Sequence, residues 1–424
     1  MPKQDKNIRR AAVSCLRAWA KGHDYAETLV ERHATRNHLS TSDRGLLNAI
    51  LLGVLRNRTL IDHWIRDVRF GKIDPETLDV LRVGVCQIVI LQLPDHAAVN
   101  ETVNCARAPV RGLINAVLRR IAHARARMIR EMGELDPPLL YSHPQWLWKK
   151  WRKDFGPKNA TALMAWNNQP AETFYRENPL RGGARRALQV LQAPSQNPPQ
   201  ESSAQENQSE TPAPTKAEKA ALMRDGHYYI TDPSTAYAPQ FLGAKPGEII
   251  LDACAAPGGK AAQMAADMQN QGTLICTDSN PKRLPRLQEN LHRLGVTIAQ
   301  SETHDWTQSA PEKWHAHFDA ILLDVPCSNT GVLRRRVDAR WRLQPTDIEK
   351  LVVLQRQILD QALVCLKPGG RLVYSTCSID AQENSKQIKK LLTAYPELTL
   401  LKEKQILPFK HDTDGAYAAL LHKE

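Results

Sequence analysis

Along the first 130 residues the apolar positions recur with helical spacing. In LSTSDRGLLNAILLGVLRN (Leu39–Asn57) they return every three or four residues, and Ser40, Ser42 or Asp43 is placed to cap the start. LDVLRVGVCQIVILQL (Leu78–Leu93) is apolar almost all round, which predicts a central buried helix. Its β-branched run also suits a strand; the helical pattern on either side favours the helix. Pro94 ends it. Further helices are expected over Ala97–Ala108 and Arg111–Arg130. From Gly226 the pattern changes. Short apolar runs alternate with helical stretches: IILD (Ile249–Asp252), TLICTDSN (Thr273–Asn280), one near Ile298, FDAILLDVPC (Phe318–Cys327) and GGRLVYSTCS (Gly369–Ser378). The helices between them are expected from Ala261, over Lys282–Leu294 and over Thr346–Leu366. That alternation implies a mostly parallel sheet covered on both faces.

Two stretches join these halves. SHPQWLWKKWRKDFG (Ser142–Gly156) reads as a helix whose tryptophans form a core face while Lys149, Lys150, Arg152 and Lys153 remain free for phosphate, and FYRENPL (Phe174–Leu180) reads as a short strand. From Gln192 to about Lys219 the chain is rich in Pro, Gln, Ser and Glu, too polar to offset the entropy of ordering, so a disordered linker is expected. The expected organisation is a helical domain over 1–140, a small connecting subdomain over 141–191, the linker over 192–219 and an α/β domain over 220–424.

The formal charge of +12 favours a polyanionic partner, most simply nucleic acid. No run approaches the length of a membrane helix, and MPKQDKNIRR lacks the apolar centre of a signal peptide, so a cytosolic protein without a membrane partner is expected, acting as a monomer. The eight cysteines are scattered with no C-x-x-C, which argues against zinc and against a disulfide framework; no metal site is expected.

Candidate chemistry gathers at the strand ends of the second half, where ligands of such sheets sit. Strand, Pro257-Gly258-Gly259 turn and helix bring backbone N–H groups towards a ligand. The turn is neither a Walker A loop nor G-x-G-x-x-G, and the lack of the latter favours S-adenosylmethionine over NAD. Asp252, Asp278, Asp305 and Asp324 end four successive strands. Asp278 lies 278 − 258 = 20 residues beyond Gly258, the distance at which a carboxylate accepts from a ribose. Singly, each aspartate also suits a turn or cap. Cys327 in DVPCSNTG and Cys377 in STCSIDAQEN lie just past adjacent strand ends. A thiolate adding to C6 of cytosine would make the poorly nucleophilic C5 enamine-like, and a second cysteine can help remove the C5 proton or expel the first thiol. Spacing alone does not say which is which. The arginines at 119, 120, 125, 127 and 130 suit either a solvated or a phosphate-contacting helix face. GVLRRRVDARWR (Gly331–Arg342) follows the Pro-Cys motif directly and is expected to be an RNA-gripping loop. In it Arg334, Arg335, Arg336, Arg340 and Arg342 would meet backbone, and Trp341 would stack near a flipped base.

LSTSDRGLLNAILLGVLRNRTLID, RVGVCQIVILQLPDHAAVNETV and GLINAVLRR resemble the NusB-type RNA-binding helical domain that is fused to ribosomal RNA cytosine methyltransferases. CAAPGGK, LLDVPCSNTGV and YSTCSIDAQEN resemble three signature motifs of the RNA 5-methylcytosine methyltransferases. Together they point to the group acting on 16S rRNA, free or in early assembly intermediates. The resemblance implies a multidomain fold, an all-α NusB-like domain plus an α/β Rossmann-like class I methyltransferase domain. It implies that Cys377 is the nucleophile and Cys327 assists release, with Lys260 in the catalytic set. Asp324 would hold the cytosine's N3/N4 edge or close the cofactor site. Cys254, Ala255, Ala256, Pro257, Gly258, Gly259 and Lys260 would line S-adenosylmethionine, Asp278 would take its ribose and Asp305 its adenine amino group. Ala261 stands where the family usually has threonine, and Ala416 where it has an aromatic residue. Two alternatives stay open: the same chemistry on tRNA, and a non-enzymatic RNA-binding assembly factor.

Overall fold

The computed structural model describes residues 7–182 and 216–424. It divides into two compact units, Met1–Ala171 with Leu333–Gln344, and Glu172–Val332 with Pro345–Glu424. Residues 141–171 thus pack with the helices that precede them. The linker expected over 192–219 lies outside the described residues up to 215; the last part of that range opens a helix, Lys216–Arg224. Among the described residues no helix is long and apolar enough to cross a membrane.

The first unit is helical: α1 (Ile8–Ala20), α2 (Ala26–Arg36), α3 (Thr41–Arg56), α4 (Arg58–Val68), α5 (Pro75–Val85), α6 (Asp95–Val103), α7 (Arg111–Glu131), α8 (Pro137–Leu140), α9 (Gln145–Phe155) and α10 (Pro157–Asn168). Capping side chains set several starts. Asn7 accepts from the N–H groups of Arg9 and Arg10, Ser40 from that of Asp43, and Asp74 from that of Thr77, with Pro75 beginning α5. Leu47, Ile50, Leu51, Val54 and Leu55 of α3 pack with Leu81 and Val85 of α5 and Leu118 and Ile121 of α7 in one core. The buried run after Leu78 is helical, but α5 ends at Val85 and the chain continues as a π-turn, Cys86–Ile90. The Cys86 thiol there donates to the Ile50 carbonyl at 3.7 Å. A Cβ on Gly53 would lie 2.6 Å from that sulfur, so glycine admits the close approach. In α9, Trp148 and Trp151 are core residues and Trp146 is half-buried. Of the α7 arginines, Arg125 pairs with Asp95 and Arg127 with Asp67, while Arg119, Arg120 and Arg130 face solvent.

The RNA-gripping loop expected over Gly331–Arg342 is corrected by the structure. From Leu333 onward it belongs to the helical unit. Arg340 is 0% exposed and its guanidinium donates to Asn168 Oδ1 at 2.7 Å, to the Asn167 carbonyl at 3.0 Å, and to the carbonyls of Tyr141, Ser142 and Leu333 at 3.4 Å. Trp341 Nε1 donates to the Leu55 carbonyl at 2.7 Å, so its ring is an anchor in place of a stacking platform. Asp338 accepts from the N–H of Ala26 at 2.8 Å, Arg334 is 3% exposed over the Trp166 ring, and Arg342 donates to the Asp24 carbonyl. Arg336 pairs with Glu27, and Arg335 is half-buried. Donors already bonded to buried carbonyls are not free for phosphate. The charges of Arg334 and Arg340 serve packing here, while Arg336 stays exposed.

The second unit begins with an antiparallel pair, β1 (Tyr175–Glu177) and β2 (Tyr228–Ile230). Its main sheet holds β3 (Ile249–Asp252), β4 (Thr273–Asp278), β5 (Ala299–Thr303), β6 (Phe318–Asp324), β7 (Leu366–Thr376), β8 (Leu398–Ile406) and β9 (Ala416–Lys423). The order is β5-β4-β3-β6-β7-β9-β8, parallel from β5 to β7, with β9 antiparallel to both β7 and β8. This is a Rossmann-like doubly wound sheet. Apolar layers cover both faces, one around Phe318, Leu359 and Tyr374, the other around Met264, Leu274 and Leu322. The strand order reverses between β3 and β6, which is where a crevice opens beyond the carboxyl ends.

Candidate active site

The turn after β3 builds one side of that crevice. The N–H of Ala255 bonds the Thr277 carbonyl of the neighbouring strand at 2.8 Å, and that of Gly258 closes on the Ala255 carbonyl at 2.7 Å. Gly258 sits at φ 102°, a left-handed conformation open to glycine, and a Cβ there would lie 2.9 Å from Leu287. The helix Gly259–Asp267 starts immediately. A cleft of ≈ 670 Å³ of empty space is lined by Asp252, Cys254, Ala255, Ala256, Pro257, Gly259, Lys260 and Asp324 on this side. Arg176, Tyr229, Ile230, Thr231 and Thr235 line it from the β1–β2 side, with Gln263 from the helix. Arg176 donates to Gln263 Oε1.

The base of the cleft is rich in carboxyl groups. Asp252 is 1% exposed; its carboxylate oxygens make no short hydrogen bond, and the Cys254 N–H and the Lys260 charge offset its burial only in part. Burial, then the charge of Asp324, pushes its carboxyl up to about 7. Lys260 Nζ contacts Asp324 Oδ2 at 2.6 Å, and the Ser375 hydroxyl donates to Asp324 Oδ1 at 2.8 Å. Burial favours neutral Lys260, but Asp324, then Asp252 and Cys377, outweigh it and raise its pKa, so it stays an ammonium. Asp278, also buried, accepts from the N–H of Asn280 and pairs with Arg283 at 2.9 Å; Arg283 in turn holds the Ala256 carbonyl. Asp305 is exposed and caps the turn after β5, its Oδ1 accepting from the N–H and hydroxyl of Thr307; these bonds hold its carboxyl below the usual range. The Cys254 thiol is pushed up by burial and by the surrounding aspartates, which makes it inert. A buried carboxyl short of hydrogen bonds, beside acids already paired by Lys260 and Arg283, leaves a place for one more cationic partner. It fits a cationic sulfonium ligand that also carries an ammonium group. The alanine at 261 is fully buried under this turn.

The two cysteines do not line the cleft. They stand on the turns just past β6 and β7, tied to it through Asp324, three residues before Cys327, and Ser375, two before Cys377. Their sulfurs lie 3.1 Å apart as free thiols. The Cys377 thiol also donates to Asn329 Oδ1 at 3.1 Å, while Asn329 Nδ2 donates to the Cys327 carbonyl. Asn329 holds φ 58°, the left-handed region asparagine tolerates. Contact with Cys377, then burial, raises the Cys327 thiol well above its usual range, so it is protonated at neutral pH. Gly331 and Gly415 clasp these turns: the N–H of Gly331 bonds the Cys377 carbonyl at 3.0 Å, and that of Gly415 bonds the Gly331 carbonyl at 2.8 Å. The structure thus brings together Lys260, Asp324, Cys327 and Cys377, and places Asp278 and Asp305 at the tips of β4 and β5. Sequence reasoning missed Asn329, Arg176 and Tyr229. Asn329 carried a signal, an asparagine between Pro-Cys-Ser and Thr-Gly in a turn; the other two carried none.

The chain is similar to known proteins over its whole length. Residues 239–422 match the family described as 16S rRNA methyltransferase RsmB/F, residues 6–123 the NusB family, and 143–204 an RsmF/B-like ferredoxin-like domain. Ribosomal RNA small subunit methyltransferase B of Vibrio cholerae is 35% identical over 99% of this chain and 98% of its own length, and that of Escherichia coli 32% over the whole of both. Among solved structures, that titled PH0851 superposes with TM-score 0.74 at 24% identity over 99% of each chain. A methyltransferase homologue from Pyrococcus horikoshii gives 0.55 at 26% over 69% of this chain and 99% of its own.

Proposed function

The chain belongs to the RsmB/F family of 16S rRNA methyltransferases, which depend on S-adenosylmethionine, and on that premise we propose that it methylates C5 of a cytosine in 16S rRNA through a covalent bond from Cys377 to C6. The observation that carries this reading is the pair of thiols 3.1 Å apart beyond β6 and β7, joined through Asp324 to the cleft that would hold the cofactor. In that cleft the turn from Cys254 to Lys260 would cradle the cofactor and Asp278 would accept from its ribose hydroxyls. Asp305 would meet the adenine edge with the acceptor capacity its turn leaves. Bound there, S-adenosylmethionine supplies the sulfonium methyl that C5 takes up.

The protein's part is proton and charge management. Lys260 puts an ammonium within electrostatic range of Cys377, where it can offset charge that develops at the sulfur during addition. The family's motifs make Cys377 the attacking group and Cys327 the thiol beside it. The thiolate adds to C6, and electron density moves to C5. After methyl transfer the C5 proton passes to solvent with Cys327, beside Cys377, assisting its removal. The C5=C6 bond reforms and Cys377 leaves as thiolate. Asp324, fixed by Lys260 and Ser375, stands where it can accept from the cytosine N4 amino group. The flipped base and the anionic backbone suit a chain of charge +12. We place the enzyme in the cytoplasm, as a monomer acting on 16S rRNA free or in early assembly.

The test supplies purified protein with methyl-labelled cofactor and either 16S rRNA or tRNA, then digests to nucleosides. Label in 5-methylcytosine from 16S rRNA alone is expected. Label only in tRNA would move the substrate, and binding of cofactor and RNA without label would make the protein an assembly factor.

A further inference from the structure

Glu383 is 0% exposed, yet its carboxylate meets four neutral donors. The N–H and hydroxyl of Ser328 reach Oε1 at 2.9 Å and Oε2 at 2.5 Å, the Ser378 hydroxyl reaches Oε2 at 2.5 Å, and Gln355 Nε2 reaches Oε1 at 3.0 Å. Ser328 directly follows Cys327, and Ser378 directly follows Cys377. One carboxylate therefore grips the residue after each cysteine, across 50 residues of chain. The same Gln355 amide also holds the Pro326 carbonyl at 2.9 Å, and the Tyr374 hydroxyl fixes the Glu383 carbonyl at 2.6 Å. Next to it Asn384 accepts from the Thr376 hydroxyl at 2.7 Å and donates to the Ser378 carbonyl at 2.9 Å, clamping both neighbours of Cys377. We propose that Glu383 is the positioning residue that sets the two thiols in register.

An ionised carboxylate removed from water is tolerated only when its lone pairs are met, and a half-satisfied one is worse than none. A fully buried acid with four short donors is expensive to keep for stability alone, since an apolar residue fills such a site as well or better. What the acid adds is direction. One oxygen, Oε2, takes the hydroxyls of both turns while Oε1 holds the Ser328 N–H and Gln355, so the two turns cannot shift against each other without breaking a charge-assisted bond. Ser328 and Ser378 also bond each other at 3.1 Å and both reach the Thr330 hydroxyl, which makes the register a closed network.

The inference rests on the reading of both thiols as reacting groups, so its test carries a readout that needs no catalysis. Diamide converts two adjacent thiols to a disulfide, itself taking up the two hydrogens. Its rate with the Cys327–Cys377 pair, followed by mass spectrometry, reports how the sulfurs are aligned. Glu383→Gln removes the charge and, with its NH2 towards the Ser328 and Ser378 hydroxyls, reverses the two bonds that link the turns while its carbonyl oxygen keeps the Ser328 N–H and Gln355. Expected are at least a tenfold slower disulfide and at least a hundredfold lower kcat, with KM for RNA within twofold. Glu383→Asp should recover part of both. If Glu383→Gln does not accumulate folded, Ser328→Ala and Ser378→Ala carry the same test with smaller losses. A wild-type disulfide rate in folded Glu383→Gln overturns the positioning role. A slowed disulfide with unchanged kcat leaves that role standing and overturns the reading of the thiols as reacting groups.

Discussion

Replacing Asp252 by asparagine should make the ligand-free protein more stable, and more so as pH rises. The carboxyl at the end of β3 is buried, has no short hydrogen bond, and is pushed from 3.8 to about 7, first by burial and then by Asp324, which outweigh Lys260 and the Cys254 N–H. A folded-state pKa above the unfolded one means the folded state holds the extra proton between about pH 4 and pH 7. Stability from this group is therefore full below the unfolded value and falls as pH rises through that window. One unit is worth about 1.4 kcal/mol, so the whole shift bounds the penalty at about 4 kcal/mol, of which roughly 2–3 kcal/mol builds up between pH 5 and pH 8. Asparagine is close in shape and cannot ionise. The assay is thermal unfolding of wild type and Asp252→Asn without cofactor at several pH values, read as the difference between the two proteins so that other titrating groups cancel. The gap should widen in favour of the variant from pH 5 to pH 8. Saturating cofactor should narrow it, since a cationic ligand supplies the missing partner. Parallel curves at all pH values would refute the reasoning.

Gly331→Ala should disable the site without touching a reacting group. Its Cβ would lie 2.6 Å from the Gly415 carbonyl oxygen and 2.7 Å from that of Cys377, so backbone must move, at about 1–3 kcal/mol of stability and most of the methylation rate in a single-turnover assay. Arg340→Met should destabilise by about 3–5 kcal/mol in denaturant titration, because several buried acceptors lose their donor. Its RNA affinity per folded molecule should be unchanged; a loss of affinity at constant stability would restore the loop to an RNA-contacting role. Substituting the solvent-facing Arg119, Arg120 and Arg130 by glutamine should weaken RNA binding and flatten its salt dependence by up to about 0.7 in log–log slope per lost phosphate contact, measured by filter binding at several ionic strengths. No change in that slope would make the α7 arginines an ordinary solvated face.

Much of the second unit was readable from local pattern. Strands buried on both faces are nearly continuous apolar runs, so β3, β4, β6 and β7 stand out, and the aspartates and cysteines at their tips fall together once the sheet is parallel. The antiparallel β8 and β9 went unremarked: β8, LTLLKEKQI, is a largely polar strand at the sheet edge and has no such run. The site residues that stayed hidden owe their place to tertiary contact. Asn329 and Cys377 are 48 residues apart, and Ser328 and Glu383 are 55 apart. Glu383 looks like any helix-start acid until its burial is seen. Arg176 gains meaning only when β1 and β2 pair and face the cleft. The arginine-rich stretch after Gly331 misled for a related reason. Charge predicts solvent exposure on average, and nothing local signals that carbonyls of α3, α10 and the turn after α8 wait to receive those donors.

The central claim is that Cys377 bonds to C6 of the target cytosine. It is tested most directly by incubating the Cys327→Ala variant with cofactor and 16S rRNA, denaturing, and mapping any RNA-linked peptide by mass spectrometry. The account predicts a denaturation-resistant protein–RNA species whose link maps to Cys377, absent from the Cys327→Ala/Cys377→Ala double variant. A link at another residue, or methylated RNA produced by the double variant, would contradict it.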